Sequence, residues 1–462
     1  MVHFKITDKM CQELKNHLHN GDGLEALAFV LCGRLNHENN NWLLAHEIFP
    51  MPYEKCERDF DHVSWKTEPI EHLLEKAKNK GFAIVKVHSH FKLNSDFSEL
   101  DDISDKSFFE AVYGWSNSDL PHASVVMYPD GSMKGRTIES DMSFKTIPKI
   151  TVLGSSINQF QNNDLKDRAI GKEFIRNQQT FGKKTTQILL DLKVGVVGCS
   201  GTGSPVIEQL VRLGVGIIVL VDDDNVEHNN LNRIIGSTIS DADIGKLKVN
   251  AIKDHIERIG LNTKVITFPK KIQESREALD SLASCDFIFG CVDSIEGRFY
   301  LNLISTYYLV PLIDIGVKLV ADGDGGIDSI NGNIHYINPG SETLLERKVF
   351  TQEQLTAESL KRISPQEYKK RKAYFDNLDV ESPAVISVNM TFAAFAVNEM
   401  LGRFHHYRYS DNTKFSQTCI NLSDWDINTK TVNETKSKSA RGYVGIGNLE
   451  PEMEIYVSKT AV

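Results

Sequence analysis

Residues 87–101 read VHSHFKLNSDFSELD. His88 and His90 stand two apart at the end of the apolar run FAIVKV, so both rings leave one face of a strand. Asp101 follows eleven residues later, at the start of the helical text ELDDISD. Two imidazoles and a carboxylate make the three-ligand set of a catalytic zinc, with the fourth position left to a water. Zinc lowers the pKa of that water to about 7, and a nearby carboxylate can then take its proton. Ser98, three residues before Asp101, is placed to donate to a developing oxyanion. A bare His-x-His describes ordinary strand histidines more often than metal ligands, so the whole string carries the reading.

The second constellation is VGVVGCSGTGSPVIEQLVRLGVGIIVLVDDDNVEHNNLNR, residues 194–233. An apolar strand runs into Gly198, Gly201 and Gly203, after which a helix begins. Glycines there let the backbone turn tightly against phosphate, and the helix N-terminus offers free N–H groups at a positive dipole end. Asp222 comes nineteen residues after Gly203, at the end of the next apolar strand, where it can bond a ribose hydroxyl. A glycine loop and an aspartate alone equally describe an NAD-dependent oxidoreductase.

The elements around these residues follow two grammars. In the first 145 residues, strand-like runs (27–32, 42–48, 82–88 and 123–128) mix with helical text at 69–80, and the polar turn 129–131 leads to a hairpin partner. From about residue 190, fully apolar runs (194–198, 217–221, 263–268 and 287–291) alternate with amphipathic stretches (207–213 and 246–259), the signature of a parallel sheet covered on both faces. The segment PLIDIG at 311–316 reads as a strand before a hairpin, and 383–400 as one long helix. The expected fold class is therefore α/β: a mixed α+β domain, then a Rossmann-like, doubly wound, mainly parallel sheet. The expected divisions are a first domain at 1–147, a polar linker at 148–172, a second domain at 173–430 and a polar, loosely ordered tail at 431–462.

Composition narrows the classes. A net charge of -10 gives no broad field to attract nucleic acid or an anionic membrane. No apolar run is long enough to cross a bilayer, and the start MVHFKITDKMCQELKNHL has no secretory pattern. Seven cysteines without pair spacing suit a reducing compartment. The expectation is a cytoplasmic protein that binds neither nucleic acid nor membrane.

The string His88-Ser-His90-x7-Ser98-x2-Asp101 resembles the JAMM (JAB, Mov34-like) zinc peptidase motif. Over residues 20–145 this likeness implies zinc held by His88, His90 and Asp101, Glu25 as general base in preference to Glu47, and Ser98 beside the oxyanion. Phe91 departs from the proline that usually follows the second histidine.

The second block resembles the ThiF and ubiquitin-activating adenylating enzymes. Asp222 precedes Asn230-Leu-x-Arg233, Lys248 follows in IGKLK, and Asp293-x4-Arg298-x3-Asn302 comes next, with Arg176 upstream in FIRNQQ. The likeness, from about 174 to 403, implies ATP cradled by the glycine loop, Asp222 and Asn230, with Arg233 and Lys248 offsetting phosphate charge. It also implies magnesium beside Asp293, and a homodimer through this domain in which Arg176 reaches the partner's ATP. Arg212 in the loop helix reads only as a solvated charge.

A departure concerns cysteine. Between Cys291 and Cys419 there is none, so Cys-x-x-Cys zinc ligands are missing from this domain. Cys199 and Cys291 read as core thiols, which leaves Cys419 or no cysteine at all for a thioester. Together the resemblances imply a bifunctional enzyme. One part would cleave after the C-terminal glycine of a ubiquitin-like or sulfur-carrier protein; the other would adenylate the freed carboxylate, with a conjugating-enzyme-like acceptor downstream. Bacterial operons with such fusions, some in antiviral defence, are the implied setting. The alternatives are an adenylating enzyme for a peptide or small metabolite, and a scaffold built from degenerate domains.

Overall fold

A computed structural model describes residues 1–116, 118–161, 170–371, 384–431, 437 and 442–447. Among these, 1–161, 307–309 and 442–447 gather into one compact unit, and 170–306 with 310–431 into another.

The first unit is a nine-stranded mixed sheet with helices on both faces. Its strands are β1 (Val2–Thr7), β2 (Leu27–His37), β3 (Asn40–Pro50), β4 (Cys56–Arg58), β5 (Val63–Trp65), β6 (Ala83–Ser89), β7 (His122–Met127), β8 (Met133–Ile138), β9 (Phe144–Thr146), β10 (Lys149–Leu153) and β11 (Ile157–Gln161). β4 and β5 pair apart from the main sheet, whose order is β11-β10-β1-β3-β2-β6-β7-β8-β9. Alternation in β2 assigns the faces. Ala28, Val30 and Cys32 pack with Leu14 and Leu18 of helix α1 (Asp8–Leu18). Leu27, Phe29 and Leu31 pack instead with Leu73 and Leu74 of α2 (Glu71–Lys80) and Phe108 and Phe109 of α3 (Glu99–Trp115).

The second unit contains α4 (Ile175–Asp191), β12 (Lys193–Val197), α5 (Gly203–Leu213), β13 (Ile217–Val221), α6 (Ile239–Asp243), α7 (Lys248–Ile259), β14 (Lys264–Phe268), α8 (Arg276–Ala283) and β15 (Phe287–Gly290). It continues through α9 (Ile295–Tyr308), β16 (Leu312–Ala321), β17 (Ile327–Ile337), α10 (Gln352–Ile363), α11 (Pro365–Arg371), α12 (Ile386–Phe404), β18 (Gln417–Asn421) and β19 (Asp426–Lys430). The sheet order β14-β13-β12-β15-β16-β17-β18-β19 is parallel through β16 and antiparallel beyond it. The chain starts at β12, winds outward to β14, and returns to the other side of β12 as β15. That reversal opens a crevice at the C-terminal ends of β12 and β15. The α/β class and the doubly wound parallel core are as the periodicity implies; all the strand-like runs fall within a residue or two of observed strands.

Two expectations are corrected. Part of the segment taken as a linker, 148–172, is sheet: β10 pairs with β1 in parallel and β11 with β10, so Val152 and Leu153 belong to the core. Its polar text misleads because β11 is an edge strand with one wet face. Residues 442–447, placed in a loose tail, lie against β2. Gly33 donates its N–H to Gly445 O (3.2 Å), and His46 Nδ1 lies 2.7 Å from Val444 O. This approach needs glycine on both sides: a Cβ on Gly33 would sit 2.2 Å from Gly445 O, and Gly445 has φ +69. The rest of the expected tail falls largely outside the described residues.

This contact sets a prediction. Gly33→Ala should destabilise the protein by about 1–3 kcal/mol and open 442–447 to protease, because backbone must move. Gly114→Ala, exposed on α3 with nothing within 4 Å of its added carbon, should instead gain about 0.5–1 kcal/mol. Urea unfolding and limited proteolysis of both variants check this.

Candidate functional site

In the first unit β6 delivers His88 beside Leu27 of β2, and α3 brings Asp101 to it. His88 Nε2 lies 3.2 Å from His90 Nε2 and 2.9 Å from Asp101 Oδ1, and His90 Nε2 lies 3.3 Å from Asp101 Oδ2. Ligand atoms at tetrahedral zinc, bonded at 2.0–2.1 Å, stand about 3.3 Å apart, so these three donors fit that ion. Another observation points the same way: two imidazole nitrogens face each other and a carboxylate at one point, where neutral rings would offer lone pairs.

Two of the three donors, Asp101 and His90, are held from behind by hydrogen bonds. Ser98 caps α3: its Oγ accepts from Asp101 N (3.1 Å), while its own N–H and Oγ–H donate to Asp101 Oδ2 (2.7 and 2.8 Å). His90 Nδ1 lies 2.9 Å from Ser95 Oγ, and burial lowers the pKa of His88. Burial would raise Asp101, yet its bonds to His88 and His90 hold it well below the usual carboxylate range. Ser98 is thus occupied with Asp101 rather than turned outward as an oxyanion donor.

Glu25 lines the same cleft as His88, Asp101, Asp61 and Trp65, and is 5% exposed. Burial first, then Asp101 and Asp61, push its carboxyl up to about 8, and Lys86 opposes them. A bound dication would add a larger opposing charge. The rival Glu47 is spent in an ion pair with Lys76 on α2. Lys86 was missed. Its ammonium is buried in the cleft, ion-paired with Asp105 of α3. A lysine inside the apolar run FAIVKV, with an aspartate four residues beyond Asp101 on one helix face, is the signal that could have found it.

In the second unit the register lines up Val221, Val197 and Gly290, so three strands end level and their loops share one edge. Gly198 has φ +91, and a Cβ there would lie 2.4 Å from Cys291 O; a Cβ on Gly203 would lie 1.8 Å from Gly198 O. Only glycine closes this loop. Asp222 accepts from Cys199 N (2.6 Å) and Asp224 N (2.9 Å), and burial raises its pKa. It therefore ties the loop to the end of β13 as well as standing where a ribose would be met.

Lys248, 6% exposed at the start of α7, donates to Asp224 Oδ2 (2.7 Å), an unforeseen partner. Arg233 packs its stem against Gly201 and donates Nη1 to Asn229 O (2.6 Å). Asn230 serves the local turn: its Oδ1 accepts from Glu227 N (3.3 Å) and its amide donates to Asn229 Oδ1 (2.7 Å). Asp293 is exposed in the loop after β15, and Glu358 of α10 accepts the nearby Ile295 N–H (2.8 Å). Asp222, Asp223 and Asp224 bring three carboxylates within 4.8 Å, a cluster common without an ion. Arg176 is exposed on α4 and donates to Gln179 Oε1 (3.0 Å); among the described residues no hydrogen bond joins it to the loop. Arg212 pairs with Glu208 along its helix (2.6 Å). Burial raises the pKa of Cys199 and Cys291, the reverse of a reactive thiolate. Cys419 sits half-buried on β18, its Sγ 3.2 Å from Gln417 Nε2.

A doubly wound sheet with a glycine loop at its switch point, an acidic residue ending the next strand and two cations beside it defines a nucleotide-binding domain. The model of the ThiF family matches residues 174–442, and the chain belongs to that family. It is 33% identical over 172 residues to the adenylyltransferase and sulfurtransferase UBA4 of Meyerozyma guilliermondii, covering 35% of this chain and 39% of that protein. It is 32% identical over 126 residues to the SAMP-activating enzyme E1 of Haloferax volcanii, covering 27% of this chain and 45% of that one. The matched part thus spans less than half the length of either relative. Among solved structures, E. coli MccB with MccA-N7isoASN overlaps 59% of this chain and 75% of its own, at 19% identity and TM-score 0.46; that likeness carries no argument about chemistry.

The cap at α3 gives a prediction. Ser98→Ala should cost about 1 kcal/mol, while Ser98→Thr, which keeps the capping oxygen, should cost a few tenths. Guanidinium unfolding of the two variants distinguishes a capping serine from an idle one.

Proposed function

We propose that the second unit adenylates a C-terminal carboxylate of a ubiquitin-like or sulfur-carrier protein, using ATP and magnesium. The carrying observation is the gathering of the glycine loop, Asp222, Arg233, Lys248 and the Asp293 loop at one edge of the parallel sheet. A carboxylate oxygen bonds to the α-phosphorus, the bond to the β-phosphate bridge breaks, and pyrophosphate leaves with the electron pair. Charge then grows on the phosphoryl oxygens. Arg233 and Lys248 meet it, Lys248 exchanging Asp224 for phosphate. Magnesium, when bound near Asp293, would neutralise the leaving pyrophosphate. The raised thiols of Cys199 and Cys291 favour release or direct transfer of the adenylate over a thioester on either. The family's Arg176 role carries with it a homodimer through this unit. UBA4 is named as a sulfurtransferase as well as an adenylyltransferase, and the Haloferax relative as activating SAMP, which favours a protein acceptor over a metabolite.

The first unit supports a zinc-dependent peptidase or isopeptidase of the JAMM kind; its support is the convergence of His88, His90 and Asp101 with Glu25 in one cleft. Zinc there would supply an activated water. Glu25 would accept a proton from that water, and the α3 cap keeps Asp101 oriented. Acting after a terminal glycine, it would mature the modifier or release it from a target.

Exchange of labelled pyrophosphate into ATP with Gly-Gly-ended candidate proteins tests the first claim. Asp293→Ala and Lys248→Ala should each lower it by about 10²-fold or more. Exchange with a free peptide or metabolite but no carrier protein would replace the protein substrate. No exchange with any acceptor would leave a scaffold. For the peptidase, metal analysis should find one zinc per wild-type chain and almost none in His88→Ala. Glu25→Gln should keep zinc and pyrophosphate exchange but lose cleavage of a C-terminally extended modifier. Full cleavage by Glu25→Gln, or wild-type protein without zinc, defeats the assignment.

A further inference from the structure

Gly201 sits where the glycine loop meets helix α12. A Cβ built on it would lie 2.4 Å from Asn389 Nδ2 and 3.0 Å from Arg233 Cδ, so an amide nitrogen rests directly against the loop. Asn389 belongs to the first turns of α12 and is 5% exposed. Its backbone N–H is used by Val385 O (3.1 Å), whereas its side-chain amide makes no hydrogen bond among the described residues. An apolar side chain would cover Gly201 equally well, so packing alone does not explain an amide at this position.

The helix ends point to what does. Neither α5 nor α12 has a side-chain cap on its N-terminal N–H groups. Gly203 begins α5, and Asn389 places the first turns of α12 at Gly201, so two positive helix ends flank one short loop. Arg233 adds full charge beside them.

We infer that Asn389 donates its amide N–H to a phosphate oxygen of the bound nucleoside triphosphate, and that the first turn of α12 forms the wall of the phosphate site facing the loop. This rests on the adenylation reading and adds to it a nucleotide contact from a distant part of the sequence. Phosphate binding is thereby tied to the seating of α12.

The test is calorimetric titration of the full chain with ATP and magnesium, alongside adenosine as competitor, for wild type, Asn389→Ala and Asn389→Asp. The aspartate is isosteric, removes the donor and adds repulsion. Kd for ATP should rise about tenfold in Asn389→Ala and further in Asn389→Asp, as loss of a bond to a charged acceptor requires. Adenosine affinity and the nucleotide-free melting temperature should stay near wild type for the aspartate. ATP affinities within twofold of wild type in both variants would overturn the contact. So would equal losses for ATP and adenosine with lowered melting, which mark a packing role. Wild type that binds no ATP overturns the adenylation reading itself, and this contact with it.

Discussion

The second unit depends on a loop too tight for any side chain. Between β12 and α5 the backbone folds onto itself until the would-be Cβ of Gly203 overlaps Gly198 O, while Gly198 presses on the carbonyl of Cys291. That closure aims the start of α5 at the crevice and lets Asp222 take the Cys199 N–H. The parallel register then brings the Cys291–Asp293 loop to the same edge without further contrivance. The glycine loop, the position of Asp222 and the Asp293 loop are consequences of one constraint.

The first unit solves a different problem, holding three mutually close donors whose charges and lone pairs repel. It does so with a helix cap. Ser98 and Asp101 exchange bonds at the start of α3, so the turn that begins the helix also orients the Asp101 carboxylate. Lys86, and Arg136 of β8, beneath it are matched to Asp105 and Asp102 of α3, two cations to two carboxylates.

Much of this was legible from residue order. Strand positions followed from apolar runs, and the candidate residues from spacing: His88 to Asp101 spans one strand end to one helix start, and Gly198 to Asp222 one helix and the strand after it. Such separations map onto fixed geometry because each crosses one or two regular elements. The exceptions lie where a polar surface conceals pairing, as in β11, or where a remote segment docks by backbone alone, as at Gly33 and Gly445. Glycine contacts leave no hydrophobic pattern to read.

The sequence by itself determined the strands and the candidate residues set at their ends, because residue type and local spacing are properties of neighbours in the chain. Only the tertiary structure decided which charges are engaged: Lys248 with Asp224, Glu47 with Lys76, Ser98 with Asp101. It alone brought Asn389 to a loop nearly two hundred residues earlier. Those pairings depend on desolvation and on contacts between distant segments, which come into being only when the chain has folded.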